Sequence, residues 1–557
     1  MEKASLLDKI FDKKWTPFLI LIGIGLVLYF QVLFFGFTYL DDNNLILDNA
    51  GFLSQLSNLF TSFQIDVFHL FNHSAFYYRP ILTISLILDY QLSGPHPFMY
   101  HFTNLVLHLL ASCLVFLFLK KLNYRKELSL LFAMIFLAHP ALVQAVAWIP
   151  GRNDSLATVF VLAAFIFLVQ YLKDNKLKYF VWHLIFLALA VFTKEIALFF
   201  LLPAIFYFYF LNQRRNLKIR RGWWLLSWIS IAGLWFLARS FALQGLGSLG
   251  FKAMLQSVYL NFPGLIQMLG KIFFPFNLSV LPIIQDTTFV YGLVAVLLSA
   301  GLLLWTKNKR WPYIFFGLSW FLIFLLPAFI RPNPAGVADF IEHRLYLPII
   351  GFFIFLLETD LLKKLNFKRV YHLILLGLVL ITLCVLTVRH SRNFSNRSAF
   401  WQNAVENSPH YPLANRNLGA MYYLDGKLDQ AELEFKKALA LNPSEEMAHN
   451  NLGLVYENRG QFDKSEAEYL EEIKINPFYD NAYYNLGILY YREGKYDQAE
   501  QAWRKVLSLN PNFLKAIYNL IDLYLEQKKY VEAKSYVWTL SNLGYPLPPE
   551  LLKVLNN

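Results

Sequence analysis

The chain has 557 residues, of which 57% are hydrophobic, 18% aromatic and only 16% charged, with a formal net charge of +12. Soluble domains carry about 25% charged and 45–50% apolar residues, so this balance excludes a soluble enzyme, a disordered scaffold and a collagen-like fibre. The charge is also unevenly spread, which argues against a nucleic-acid footprint: residues 1–408 hold 34 Lys and Arg against 18 Asp and Glu, whereas residues 409–557 hold 16 against 20. The two cysteines, Cys113 and Cys384, lie inside apolar runs and define neither a disulfide framework nor a zinc site.

A bilayer core of about 30 Å needs roughly 20 apolar residues per helix. Thr16 to Leu40 carries no charge and has no small-residue cleavage pattern, so it reads as a retained first span. Further spans are expected at 99–119, 127–147, 153–172, 179–194, 195–211, 222–240, 289–306, 311–330, 345–362 and 370–388, eleven in all. Basic clusters stay in the cytoplasm, and those at Lys3–Lys14, Lys120–Lys126, Lys173–Lys178, Arg214–Arg221, Lys307–Arg310 and Lys363–Arg369 fall on alternate loops. The expected topology is therefore N-terminus inside and C-terminus outside. Residues 254–274, interrupted by Pro263, read as an interfacial or re-entrant element, and Ile81–Leu92 is too short to span.

The polar part is periodic. Pro409, Pro443, Pro477 and Pro511 recur every 34 residues, as do Gly419, Gly453 and Gly487, with columns at Leu418/Leu452/Leu486/Leu520 and Tyr422/Tyr456/Tyr490/Tyr524. That is the tetratricopeptide period: helix pairs in which small residues allow close approach and Phe435, Tyr469 and Trp503 fill the groove. Such units stack into a solenoid suited to holding a peptide or protein. The Asn417/Asn451/Asn485/Asn519 column reads as structural. The expected fold class is all-α: a polytopic membrane body over 1–390, a linker over 391–408, four repeats over 409–544 and a capping tail over 545–557.

Charges on the outer loops have no topogenic role, so they point to function. Asp41 and Asp42 follow the first span; as a pair they suit a helix N-cap, a general base or a metal ligand. Tyr78-Arg79-Pro80 and Asp89 come next, then His101, with His108 two turns on; these histidines are packing residues or, less simply, a metal pair. Arg152 and Asp154 lie in the link between the third and fourth spans. Lys194-Glu195 is a self-neutralising pair or a ligand. Glu342-His343-Arg344 with Tyr346 closes the set. Carboxylates beside several cations suit a reaction in which a phosphate leaves and a hydroxyl proton is removed. No P-loop, Rossmann fingerprint, G-x-S-x-G or H-E-x-x-H occurs.

In this order the motifs resemble the transmembrane and tetratricopeptide repeat (TMTC-like) O-mannosyltransferases and their prokaryotic relatives among the GT-C glycosyltransferases. The resemblance rests on Tyr39–Asp42, Tyr78-Arg79-Pro80, Leu88–Leu92, Tyr100–Asn104, Leu107-His108, Ala138-His139-Pro140, Ala145–Trp148, Gly151–Asp154, Lys194-Glu195 and Glu342–Pro348, with Arg392-Asn393 and Trp401 leading into the repeats. It implies a GT-C-like membrane body and sugar transfer, mannose or similar, from a polyprenyl-phosphate sugar to an acceptor hydroxyl at the outer face, with inversion. Asp41 or Asp42 is then the catalytic base, the other positioning the acceptor or a divalent metal (Mg or Mn) if one takes part. Arg79, Arg152, Lys194, His343 and Arg344 are the donor-phosphate candidates; Tyr78, Asp89, His101, Asp154, Glu195, Glu342 and Tyr346 complete the site. The partners implied are the lipid-linked sugar, the bilayer and a protein held by the repeats, with no nucleic acid. The setting implied is a bacterial inner membrane with the repeats outside the cytoplasm. The chain has four repeats where animal members have more. Two other readings fit the composition: an O-antigen ligase or polymerase-like enzyme using a lipid diphosphate, and a non-enzymatic membrane-anchored scaffold.

Overall fold

Long apolar runs become helices because lipid offers no hydrogen-bond partner to backbone N–H and C=O groups. The computed structural model describes residues 13–69, 77–211, 221–243, 250–330, 342–543 and 545. Among them the regular structure is helical, with no strand, and the chain divides into two units, Met1–Ser408 and Pro409–Asn557. The basic residues Lys3, Lys9 and Arg214–Arg220 and the tail from Pro546 onward lie outside the described residues.

Among the described residues of the first unit six helices are long and apolar enough to cross a membrane: Thr16–Phe34, Pro97–Lys121, Ile149–Asp174, Trp223–Ala242, Trp311–Phe329 and Val370–Phe394. A seventh is reached if Lys126–Leu137 and Pro140–Ala147, bent by 58°, count as one. Pro140 causes that bend: it cannot donate to the ladder, and the His139 ring instead accepts from the Ala141 N–H. This is the frame of a multi-pass membrane protein.

The other four expected spans form helices shorter than a 30 Å core requires. Leu177–Thr193 has 17 residues and Val290–Trp305 has 16. Residues 195–211 split into 3-10, α and π segments, and within 345–362 the main helix is Ile349–Leu357. Sixteen residues rise only about 24 Å, short of a 30 Å core. Pro263 does divide 254–274, into the helices Phe251–Asn261 and Gly264–Phe273, and Pro80–Ser93 is a 14-residue helix.

Two features were not legible in the apolar pattern. Gly317 and Gly351 face one another so closely that a Cβ on either would sit about 2.4–2.6 Å from the other's carbonyl oxygen. Small residues of this kind are what lets membrane helices touch backbone to backbone. The stretch 391–408, expected as a linker, contains the helix Arg397–Asn407, capped by the Asn396 side chain. Phe394, Phe400 and Trp401 are fully buried there, and their rings pack edge to face. Aromatic burial of this size fixes the segment to the first unit.

The second unit is four helix pairs: Pro412–Leu424 with Leu428–Leu441, Ala448–Asn458 with Phe462–Ile475, Asp480–Arg492 with Tyr496–Leu509, and Leu514–Glu526 with Tyr530–Asn542. The glycine column is where the aromatics pack. A Cβ on Gly419, Gly453 or Gly487 would meet Phe435, Tyr469 or Trp503 at 2.8, 2.6 and 2.4 Å. Neighbouring pairs are joined by a bond that itself repeats every 34 residues: Tyr456, Tyr490 and Tyr524 hydroxyls donate to Glu432, Glu466 and Glu500. The asparagine column is used within the stack, Asn417 donating to the Leu413 carbonyl and Asn485 to Asn450. Gly487→Ala is expected to cost about 1–3 kcal/mol by overpacking against Trp503; hydrogen–deuterium exchange across 480–509 would accelerate while the first unit stays unchanged.

Candidate active site

The loop after the first span is bent at Tyr39, whose φ of 60° lies in the left-handed region. A non-glycine residue there is strained and needs its surroundings to hold it. Several contacts do so. The Gly36 N–H donates to the Ser395 carbonyl at 2.8 Å, and the Arg397 guanidinium lies over the Tyr39 ring, 5.5 Å from its centroid. The bend brings Asp42 back onto Thr38, whose N–H and hydroxyl both donate to Asp42 Oδ2. Asp42 is 1% exposed, and its Oδ1 has no hydrogen-bond partner among the described residues. Burial, helped by the neighbouring charge of Asp41, raises its pKa to about 6 against the opposing Thr38 bonds. Asp41 is only half-buried. A π-helical turn, Asn43–Leu47, follows at once, a form found mostly at functional sites.

Thr38 connects this loop to a second group of the expected site residues. Trp148 Nε1–H donates to Thr38 Oγ1 at 3.1 Å, and the Trp148 ring lies 5.8 Å from the His343 ring. His343 Nε2 is 3.3 Å from Asp154 Oδ2, and Lys194 Nζ donates to Asp154 Oδ1 at 2.7 Å. Arg79 and Arg344 also act electrostatically on Asp154. Arg79 grips Glu195 with two bonds, 2.6 and 3.1 Å, the planar fork that suits carboxylate and phosphate alike. Glu195 is the most open member, its side chain 38% exposed against 12% or less for Arg79, Lys194, Asp154 and His343. The cluster sets three permanent cations, Arg79, Lys194 and Arg344, against two carboxylates.

Other expected site residues are placed elsewhere. Arg152 is fully buried; its guanidinium makes four hydrogen bonds, to Asn104 Oδ1, the Ser85 carbonyl and hydroxyl and the Tyr100 carbonyl, and an ion pair with Asp89. With no exposed surface it is not presented to a phosphate as expected, and Asp89 is its counter-charge. Asn104 extends the same junction by donating to the carbonyls of Val146, Trp148 and Ile149. Lys194 and Glu195 do not neutralise one another as one reading expected. Extended backbone at Lys194 (φ −155°, ψ 135°) sends the two side chains to different partners.

Tyr78 is buried with its hydroxyl donating to the Phe63 carbonyl, and His101 is buried beside Phe35. His108 spends both ring nitrogens, on Tyr346 Oη at 2.6 Å and the Leu137 carbonyl at 3.0 Å, so a His101–His108 metal pair is not formed and Tyr346 serves the core. Glu342 is buried against Lys271; burial raises its pKa and Lys271 opposes the rise.

Thr38, Trp148 and Lys271 carry this arrangement, yet the sequence did not single them out as site residues. A signal existed for Lys271, a lone cation in an apolar stretch. Among the described residues no group of three His, Cys, Asp or Glu could hold a metal ion. A divalent ion here would rest on Asp41, Asp42 Oδ1 and oxygens brought by substrate.

Residues 81–240, which carry Asp89, Arg152, Asp154, Lys194 and Glu195, match the family model for dolichyl-phosphate-mannose-protein mannosyltransferase, and 420–460, 448–479 and 481–513 match tetratricopeptide repeat models. Over part of its length the chain is similar to the TMTC protein O-mannosyl-transferases. It is 33% identical over 163 residues to the Mus musculus protein O-mannosyl-transferase TMTC3, covering 28% of this chain and 17% of that one. It is 31% identical over 153 residues to Mus musculus TMTC2, covering 27% and 18%, and 32% identical over 148 residues to Drosophila melanogaster Tmtc1, covering 26% and 17%. The aligned stretches thus span under a fifth of these relatives' own length. A crystal structure of MamA superposes on 28% of this chain and 90% of its own at 23% identity, with a TM-score of 0.25.

Proposed function

We propose that the TMTC-like chain transfers a sugar, mannose on the precedent of the matched family, from a polyprenyl-phosphate donor to an acceptor hydroxyl at the extracytoplasmic face. The observation that carries this is the Asp41–Asp42 loop joined through Thr38 and Trp148 to the His343–Asp154–Lys194 cluster. Asp41, the more open carboxylate, takes the proton of the acceptor hydroxyl as its oxygen bonds to the anomeric carbon. The bond from that carbon to the phosphate oxygen breaks, and the polyprenyl phosphate leaves with the electron pair. Lys194, Arg79, Arg344 and His343 stabilise the departing charge. One displacement inverts the anomeric centre. Asp42 holds the loop through Thr38 and keeps Asp41 at the site.

This reading places eleven spans in the membrane, the N-terminus inside and the repeats outside the cytoplasm, holding the acceptor or a partner protein. The four shorter helices then cross as protein-embedded segments or where the bilayer thins around them. In proteoliposomes, radiolabelled polyprenyl-phosphate mannose and a serine- and threonine-containing peptide are expected to yield mannosyl peptide and polyprenyl phosphate in equal amounts. Transfer from a lipid diphosphate sugar, with none from the monophosphate, would overturn the assignment in favour of ligase chemistry. Lys194→Gln is expected to lower kcat by about 10²–10³-fold, the usual loss on removing one preorganised charge-stabilising donor.

A further inference from the structure

The first and last spans meet at one end and part below it. Where they meet, Gln31 Nε2 donates to the Val388 carbonyl and to Ser391 Oγ, at 3.3 and 2.9 Å. Beneath this bridge lies a groove of about 850 Å³, walled by Gly23, Val27 and Leu28 on one side and Val385 on the other, with Arg389 and Arg392 at the bridged end. No atom comes within 4 Å of where a Cβ on Gly23 would stand. Little protein covers the walls: only 11% of the apolar window of the last span is buried, and 33% of the first. Arg389 and Arg392 are exposed, and among the described residues neither guanidinium has a hydrogen bond or ion pair.

We infer that this groove seats one anionic glycerophospholipid, its acyl chain along the apolar walls and its phosphate between Arg389 and Arg392. A hydrocarbon chain fits better than a peptide, because helix backbone groups are already paired and the walls offer a peptide nothing to bond. Two cations at the polar end of an apolar slot between helices supply the charge complement of a lipid phosphate. The site is separate from the Arg79–Lys194–Arg344 cluster proposed for the donor, and the inference stands whether or not the chain transfers sugar.

The test is native mass spectrometry of the full chain in detergent with added phosphatidylglycerol, phosphatidylcholine or polyprenyl monophosphate. One phosphatidylglycerol should be retained over phosphatidylcholine by about tenfold or more, and the Arg389→Gln/Arg392→Gln variant should lose that preference. Gly23→Leu, which fills the groove, should reduce retention of the lipid. Equal retention of both phospholipids, an undiminished preference in the double variant, or retention of polyprenyl monophosphate alone would each overturn the inference. Cys384 lines the groove and Cys113 is buried, so the unmutated protein gives a second reading. Phosphatidylglycerol should slow maleimide labelling of Cys384 more than phosphatidylcholine does, and equal rates would count against the seat.

Discussion

Asp41→Asn should lower sugar transfer by about 10²–10⁴-fold, the usual contribution of a positioned base, without disturbing the fold. Asp42→Asn should behave differently, because an Asn carbonyl can accept the two Thr38 bonds that Asp42 now receives. The sign of its effect on stability follows from the pKa, raised from 3.8 to about 6 by burial and by Asp41. A carboxyl raised in the folded state binds its proton more tightly there than in the unfolded chain. Its contribution to stability is full below pH 3.8 and is lost as pH rises through about 6. The neutral Asn escapes that loss, so Asp42→Asn should match the parent at low pH and exceed it above pH 6, by up to about 3 kcal/mol. Denaturant midpoints at pH 4 and pH 7.5 would check this. A variant less stable than the parent at pH 7.5 would mean that Asp42 is not held as the uncompensated buried acid described above. Transfer assays on the same two proteins separate the roles: full activity in Asp41→Asn would remove it as the base.

Arg152→Met should be the most damaging single change in the first unit. It removes four donated hydrogen bonds and leaves Asp89 buried without its counter-charge. Removing one partner of a buried ion pair costs about 3–5 kcal/mol, so a large drop in melting temperature is expected. The double variant Arg152→Met/Asp89→Leu should recover part of it. A phosphate-binding Arg152 would instead give a well-folded protein with weak donor binding, and an unchanged melting temperature would restore that role.

The repeats were legible down to individual columns because a 34-residue period is a one-dimensional signal: each unit repeats the same contacts with the next. Even the Tyr–Glu bonds between pairs follow columns visible in the chain. The outer-face charges were also legible, since the positive-inside rule leaves them unexplained. Their pairing was not. Arg152 and Asp89 stand far apart in sequence, and nothing in their spacing says that they pair in a buried junction. Lys194 and Glu195 are neighbours that turn to Asp154 and Arg79 because of the backbone angle at one residue. Lys271 and Glu342 find each other across 71 residues. Span length was overestimated at 345–362 for a related reason: apolar composition continues past the end of the helix Ile349–Leu357, which hydropathy cannot register.

The helices of 16 and 17 residues bear on the membrane as well as on the protein. Lipid beside Leu177–Thr193 and Val290–Trp305 meets an apolar height of about 24–26 Å. A bilayer whose hydrocarbon core is thicker must thin there, at a cost of fractions of a kcal/mol for each ångström of mismatch. Thinning lowers the headgroup plane toward the midplane at the end of Leu177–Thr193 that carries Lys194. For the proposed reaction membrane thickness then becomes a variable: lipid-borne phosphates are expected to reach Lys194 most readily in short-chain bilayers, and lengthening the acyl chains to withdraw them.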